Sequence, residues 1–164
     1  MSVLKIGTSG RNIILSATLI AGTLDILAAF LVYAVILGKT SPTGILMSIA
    51  SGIFGKAAYS GGTPMIITGL LLHFLIAFIF SAFYFLIYPG LSFLRRRKLL
   101  GGILYGIFIW LVMNLGVLPI AFKGMPLPDP KAALIGIVIV IVAVGIPIAY
   151  IVSGRRTGAR RRAN

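Results

Sequence analysis

Few side chains in this sequence could do chemistry, and three of them stand where an apolar residue would be expected. Asp25 interrupts "AGTLDILAAF", close to the middle of an apolar stretch running from Asn12 to Leu37. His73 lies in "GLLLHFLIAF" and Asn114 in "WLVMNLGVLP". The chain has only two acidic residues and one histidine, so an acid and an imidazole in such surroundings need a reason. An aspartate at the middle of a membrane helix costs about 2.5–3.5 kcal/mol on insertion scales. That cost falls if the acid pairs with a protonated imidazole, or if it is itself protonated and donates to a neighbour. Two chemistries follow: a proton- or cation-responsive site made by Asp25, His73 and Asn114, or a hydrogen-bonded clasp that sets helix register. The residues leave both open.

Spacing says where the three point. Asp25 belongs to a stripe of Ala17, Ala21 and Ala29, and His73 to one of Gly69, Ala77 and Ser81. Asn114 follows Gly102, Gly106 and Trp110 at the same interval of four. Residues four apart share a helix face, and small residues at that interval let membrane helices approach closely. The polar groups therefore lie on faces that meet other helices, with Ala21, Gly69, Ala77, Gly102 and Gly106 as packing positions. Asp25 is near its helix centre and the other two somewhat outward, so antiparallel neighbours would bring all three within about a turn.

The elements that carry these stripes follow from composition. The chain has 164 residues, of which 59% are hydrophobic and only 10% charged, with a mean hydropathy of +1.11. A soluble domain averages about 25% charged residues, so this chain belongs in a bilayer. Four stretches, 12–37, 65–88, 99–122 and 132–153, are long enough to cross one. They lack the alternation of barrel strands, and helices alone then satisfy their backbone amides. The expected fold is an all-α membrane protein, a four-helix transmembrane bundle in a single domain over 1–164. The first stretch exceeds the ~7–15-residue core of a cleaved signal, and Asp25 interrupts it, so it reads as a span.

Charge sets the expected orientation. Lys5 and Arg11, then Arg95, Arg96, Arg97 and Lys98, then Arg155, Arg156, Arg160, Arg161 and Arg162 fall on one side. Lys39, Lys56, Lys123 and Lys131 fall on the other, with Asp129. Basic residues stay in the cytoplasm, so both termini are expected there, with a basic tail at 154–164. The clusters at 95–98 and 155–162 suit anionic headgroups, at about 1 kcal/mol per residue near the surface, better than nucleic acid.

The outward loop between spans one and two has its own helical pattern. Ile45, Leu46, Ile49 and Ile53 recur at helical spacing, Ser41–Pro42 reads as a start, and "SGGTP" as a stop. A short helix over about 43–58 is expected, either on the outer membrane surface or re-entering between spans. Pro119 and Pro147 should kink the third and fourth spans, and prolines 126, 128 and 130 stiffen the second outward loop. The Gly102–Gly106 pair supports close packing, on another span or on a second copy or membrane partner.

No cysteine is present, which excludes thiolate chemistry and Cys-based metal sites. One histidine and two aspartates do not make a zinc site, and no cofactor is expected. No activated nucleophile or phosphate-binding glycine loop points to an enzyme. The expected function is a non-enzymatic membrane protein, transporter-like or accessory, or a structural, lipid-interacting subunit whose polar cluster only holds helices together.

Taken in order, "GTLDILAA", "IASGIFGKAAYSGG", "GLLLHFLIAFIF" and "GILYGIFIWLVMNLGVLP" resemble a group of small bacterial inner-membrane proteins and, distantly, the YagU-like inner-membrane family. The resemblance covers roughly residues 20–122. It implies a bacterial inner-membrane location and four helices, and carries no established catalytic residues. The positions it implies as shared are Asp25, Ser51, Gly52, Gly61, Gly62, His73, Gly102, Gly106 and Asn114.

Overall fold

In an apolar medium a backbone amide finds its partner only within its own helix, and each apolar stretch of this chain is helical. The structure, a computed structural model, describes residues 8–122, 126 and 128–161, with side chains described as far as Arg155. Arg162 and the earlier Lys5 and Lys123 lie outside the described residues, as do the side chains of Arg156, Arg160 and Arg161. Among the described residues four helices are long and apolar enough to cross a membrane: Thr8–Ile36, Gly62–Ile87, Lys98–Ala121 and Pro130–Arg155. The protein is an all-α, four-helix membrane bundle. The spans run antiparallel in turn, so Arg95, Arg96, Arg97, Lys98 and Arg155 gather at one end, called here the basic end.

Each boundary has a local cause. Asp129 caps the fourth span by accepting from the backbone N–H groups of Lys131 and Ala132, both at 3.0 Å, with Pro130 at the first helical position. This start lies two residues before the apolar run, because the cap and not hydropathy decides where the helix begins. Gly38, at φ 57°, ends the first span in a conformation that side-chain-bearing residues rarely adopt. The prolines do not break their helices. The turns just before them widen, so Leu118 N–H reaches Met113 O and Ile146 N–H reaches Ile141 O. A proline ring crowds the carbonyl four residues earlier and cannot donate to it. For Pro119 and Pro147 those carbonyls, Leu115 and Ala143, fall inside the widened turns Met113–Val117 and Ile141–Gly145.

The spans form a ring in the order two, one, four, three. Spans three and four are closest, and glycine is the reason. A Cβ at Gly102 would stand 2.8 Å from Ile146 Cα, and one at Gly106 2.6 Å from Ile141 Cα. Gly145 answers from the other side, with no room for a Cβ beside the Gly102 carbonyl. The Gly102–Gly106 face is thus occupied within the chain. Spans two and three meet mainly through rings: Phe83 stacks on Phe108 at 5.6 Å, and the Tyr105 hydroxyl donates to the Phe80 carbonyl at 2.6 Å.

The core is unevenly placed. Its buried members, among them Ile13, Ala17, Tyr84, Tyr105, Ile109, Val144, Ile148 and Val152, lie in the basic half. No residue of Phe30–Ile36, Met113–Ala121 or Pro130–Val140 is buried. The bundle is dense toward the basic end and loose toward the far end.

A short helix, Pro42–Phe54, followed by a tight turn over Gly55–Tyr59, partly fills the loose half. Ser41 caps it, accepting from the Gly44 N–H at 3.0 Å. This helix lies beside the second span, with the Leu46 backbone against Gly69, where a Cβ would find no room. Gly69 is seven residues into its helix, roughly 10 Å from the end. The short helix is therefore tucked alongside the far half of the second span. Its Gly52 faces Ala121 and Phe122 at the end of the third, where a Cβ would sit 3.5 Å from each.

Candidate functional site

The small-residue stripes settle the facing of the first two spans. Ala17 and Ala21 are wholly buried and Gly22 is buried, and from the second span Gly69, Ala77 and Ser81 are buried. Gly22 has the Phe74 ring against it, since a Cβ there would stand 2.8 Å from Phe74 Cε1 and 3.3 Å from Ala77 Cβ. This approach brings His73 to the first span. Its Nε2 lies 2.8 Å from the Gly22 carbonyl oxygen. A carbonyl can only accept, so Nε2 carries the proton in this contact. The Phe74 ring stands edge-on to the imidazole, at 5.4 Å between centres and 79° between planes.

Asp25 is half-buried, three residues beyond Gly22, and lies within electrostatic reach of His73. Among the described residues its carboxyl makes neither a hydrogen bond nor an ion pair. The bond between the two helices is thus made by the imidazole and a backbone carbonyl, and the carboxyl stands beside it unclasped. Both groups sit near the middle of their spans, where the dense basic half gives way to the loose far half.

Asn114 occupies a different place. Its Nδ2 donates to the Trp110 carbonyl of its own helix at 2.9 Å. With Leu118, Pro119, Pro126 and Pro128 it lines a recess at the far end. Nothing among the described residues joins it to Asp25 or His73. The physical reason is the ring order: the third span packs on the fourth, so it does not bring Asn114 onto the first.

Tyr33 is a further member of the site, beyond the stripe that ends at Ala29. It continues Ala17, Ala21, Asp25 and Ala29 by one more step of four, which was the available signal. Helical side chains lean toward the helix N-terminus, so Tyr33 leans back toward the carboxyl, and its phenol lies in the electrostatic field of Asp25. Its hydroxyl is 4.0 Å from where a Cβ of Gly136 would stand, and Trp110 Nε1 is 3.0 Å from the same point. Gly136 thus lets a phenol and an indole N–H approach the fourth span together.

The remaining positions are structural in their immediate contacts. Ser51 is buried; its hydroxyl donates to the Ser48 carbonyl at 2.7 Å and meets the Tyr59 hydroxyl at 3.4 Å, tying the short helix to the turn after it. Gly61 has the Met65 side chain where a Cβ would go, and Gly62, at φ 58°, starts the second span. At the basic end Arg95, Arg96 and Arg97 are exposed and Lys98 is half-buried. Arg155 donates to Ser16 Oγ at 2.6 Å, joining the fourth span to the first. Among the described residues no cluster of three or more His, Asp or Glu side chains could hold a metal ion. No family model matches the chain, and neither does any curated protein or solved structure.

Proposed function

We propose that this integral membrane protein is a small transporter-like component of a bacterial inner membrane, not an enzyme, whose working group is the Asp25–His73 pair. One observation carries the reading: the imidazole bridges two spans at 2.8 Å while the acid beside it makes no hydrogen bond to any described residue. A group that only locked the helices together would be expected to have its carboxyl bonded, because an unbonded acid in such surroundings is costly. An unclasped carboxyl at the border of a loosely packed half is placed to exchange a proton or meet a cation. Tyr33 belongs to this site, and Asn114, in its own recess at the far end, stands apart from it.

The excess of Lys and Arg at the basic end supports placing both termini in the cytoplasm, with the far end facing out. Arg95, Arg96, Arg97 and Arg155 then meet anionic headgroups, and the tail arginines Arg156, Arg160, Arg161 and Arg162 extend that contact.

The purified protein in liposomes holding a pH-sensitive dye tests this reading. The parent should show proton- or cation-coupled flux, and Asp25→Asn, which keeps size and polarity, should lose it while unfolding at the same temperature. A parent without flux, or an Asn variant that keeps all of it, refutes the proposal. The His73–Gly22 bond favours a second reading, a lipid-embedded structural subunit. On that reading His73→Ala would lower stability and Asp25→Asn would change nothing.

A further inference from the structure

Below the Asp25–His73 pair the bundle core contains two hydroxyls with no visible chemical reason. Ser81 Oγ and Tyr84 Oη are buried and make no hydrogen bond to any described residue, and both residues are wholly inaccessible. Their neighbours behave otherwise. Thr18 donates to Ile14 O at 2.9 Å, Ser153 to Tyr150 O at 3.3 Å, and Tyr105 to Phe80 O at 2.6 Å. A serine inside a helix usually bonds the carbonyl three or four residues earlier, and Ser81 does not. Buried polar atoms are nearly always satisfied, and when protein does not supply the partner, an internal water does.

Placement gives these two hydroxyls a direction. Ala77, Ser81, Tyr84 and Tyr88 follow His73 along the second span at intervals of three and four, so they share its face. The Tyr84 hydroxyl reaches the start of the third span, 3.5 Å from where a Cβ of Gly101 would stand. Tyr88 is next, with its ring 6.2 Å from that of Tyr84. The hydroxyl file thus begins at Ser81, about 12 Å along the helix from the imidazole with Ala77 between them, and ends beside the first turn of the third span, next to Leu94 at the basic end. The other titratable side chain packed against it is Tyr105, whose ring lies 4.7 Å from Tyr84 and whose proton is already donated to Phe80.

We infer that Ser81 and Tyr84 bind internal water and form a proton route between His73 and the basic end. This rests on the reading of Asp25 and His73 as a proton-responsive pair. A proton leaving the imidazole passes along a chain of several internal waters beside Ala77 to the water held at Ser81, then to water held at Tyr84, and is released to solvent at the basic end. Each station accepts one proton and gives up another, so nothing is oxidised and no covalent intermediate forms. The far half and the hydroxyl file then reach the same pair from opposite sides.

Two measurements on the full chain in lipid test the route. Water-to-protein polarisation transfer in solid-state NMR should show rapid build-up at Ser81 Cβ and the Tyr84 ring. No transfer to either residue overturns the inference. An acid step applied from the basic side should protonate His73 about tenfold more slowly in Ser81→Ala and Tyr84→Phe, the effect of losing one hydrogen-bonded station. Tyr105→Phe, whose hydroxyl bonds protein and not water, should leave that rate unchanged. An unchanged rate in both variants, or an equal loss in Tyr105→Phe, also overturns it. Rapid water transfer and slowed protonation in a protein without transmembrane flux would leave this inference standing and defeat the transport reading alone.

Discussion

Gly22→Ala is the sharpest test of how the first two spans hold His73. The added methyl would stand 2.8 and 2.9 Å from two carbons of the Phe74 ring and 3.3 Å from Ala77 Cβ. Comfortable carbon contacts are about 3.5–4.0 Å, so the second span must retreat by roughly 0.7 Å or the ring must swing aside. Ala77 Cβ moves only with its backbone but asks for about 0.2 Å, so the larger retreat follows where packing keeps the Phe74 ring from turning. A retreat of that size stretches the His73–Gly22 bond from 2.8 Å to about 3.5 Å, outside hydrogen-bond range. The lost bond is worth about 0.6–1.7 kcal/mol within a membrane, and overpacking adds about 1–3 kcal/mol. Replacing a helical glycine by alanine returns up to about 1 kcal/mol. The net expectation is a destabilisation of roughly 1–3 kcal/mol. Reversible unfolding in mixed micelles would measure it, while the ¹⁵N shift of His73 Nε2 reports the bond itself. Phe74→Leu combined with Gly22→Ala should recover part of the loss, a coupling that a double-mutant cycle reads directly. A Gly22→Ala protein with parental stability and an unmoved Nε2 resonance would refute the close approach.

Two other predictions concern the scaffold. Gly145→Leu should drive spans three and four apart, because the Gly102 carbonyl and the Gly106 backbone already fill the space of its Cβ. The expected loss is at least the ~1–3 kcal/mol of ordinary overpacking, seen as a lower unfolding midpoint, whereas Gly154→Leu, with nothing near its Cβ, should be tolerated. Asp129 lies outside the spans, and the Ala132 and Lys131 backbone N–H groups hold its carboxyl below the ordinary value, with Lys39 assisting. A lowered folded-state value means its contribution is present above the ordinary carboxylate pKa and disappears as pH falls through the lowered one. Asp129→Ala should therefore fray the start of the fourth span at neutral pH, measured by amide exchange, and match the parent in strong acid.

Much of the fold is legible in the sequence because lipid leaves the backbone so few choices. An apolar run of sufficient length must be helical, so the four spans, and the faces of the first two, follow from hydropathy and the interval of four. The short helix is legible for a related reason, since Ser41 and Pro42 form a start signal that acts locally. Its seat beside Gly69 is not, because that depends on a glycine twenty-odd residues away and on the gap between two spans.

For the site, the sequence by itself determined that Asp25 and His73 lie on helix-facing stripes, because small residues at that spacing admit a neighbouring helix. Tertiary structure alone decided which neighbour each face meets. It set the ring order that takes Asn114 away from the pair, gave the imidazole a backbone carbonyl as its partner, and left the carboxyl without a hydrogen bond among the described residues. It also concentrated the core in the basic half, isolating Ser81 and Tyr84 within it. A backbone oxygen has no residue type and a packing gap has no sequence position, so neither can be read from a string of letters.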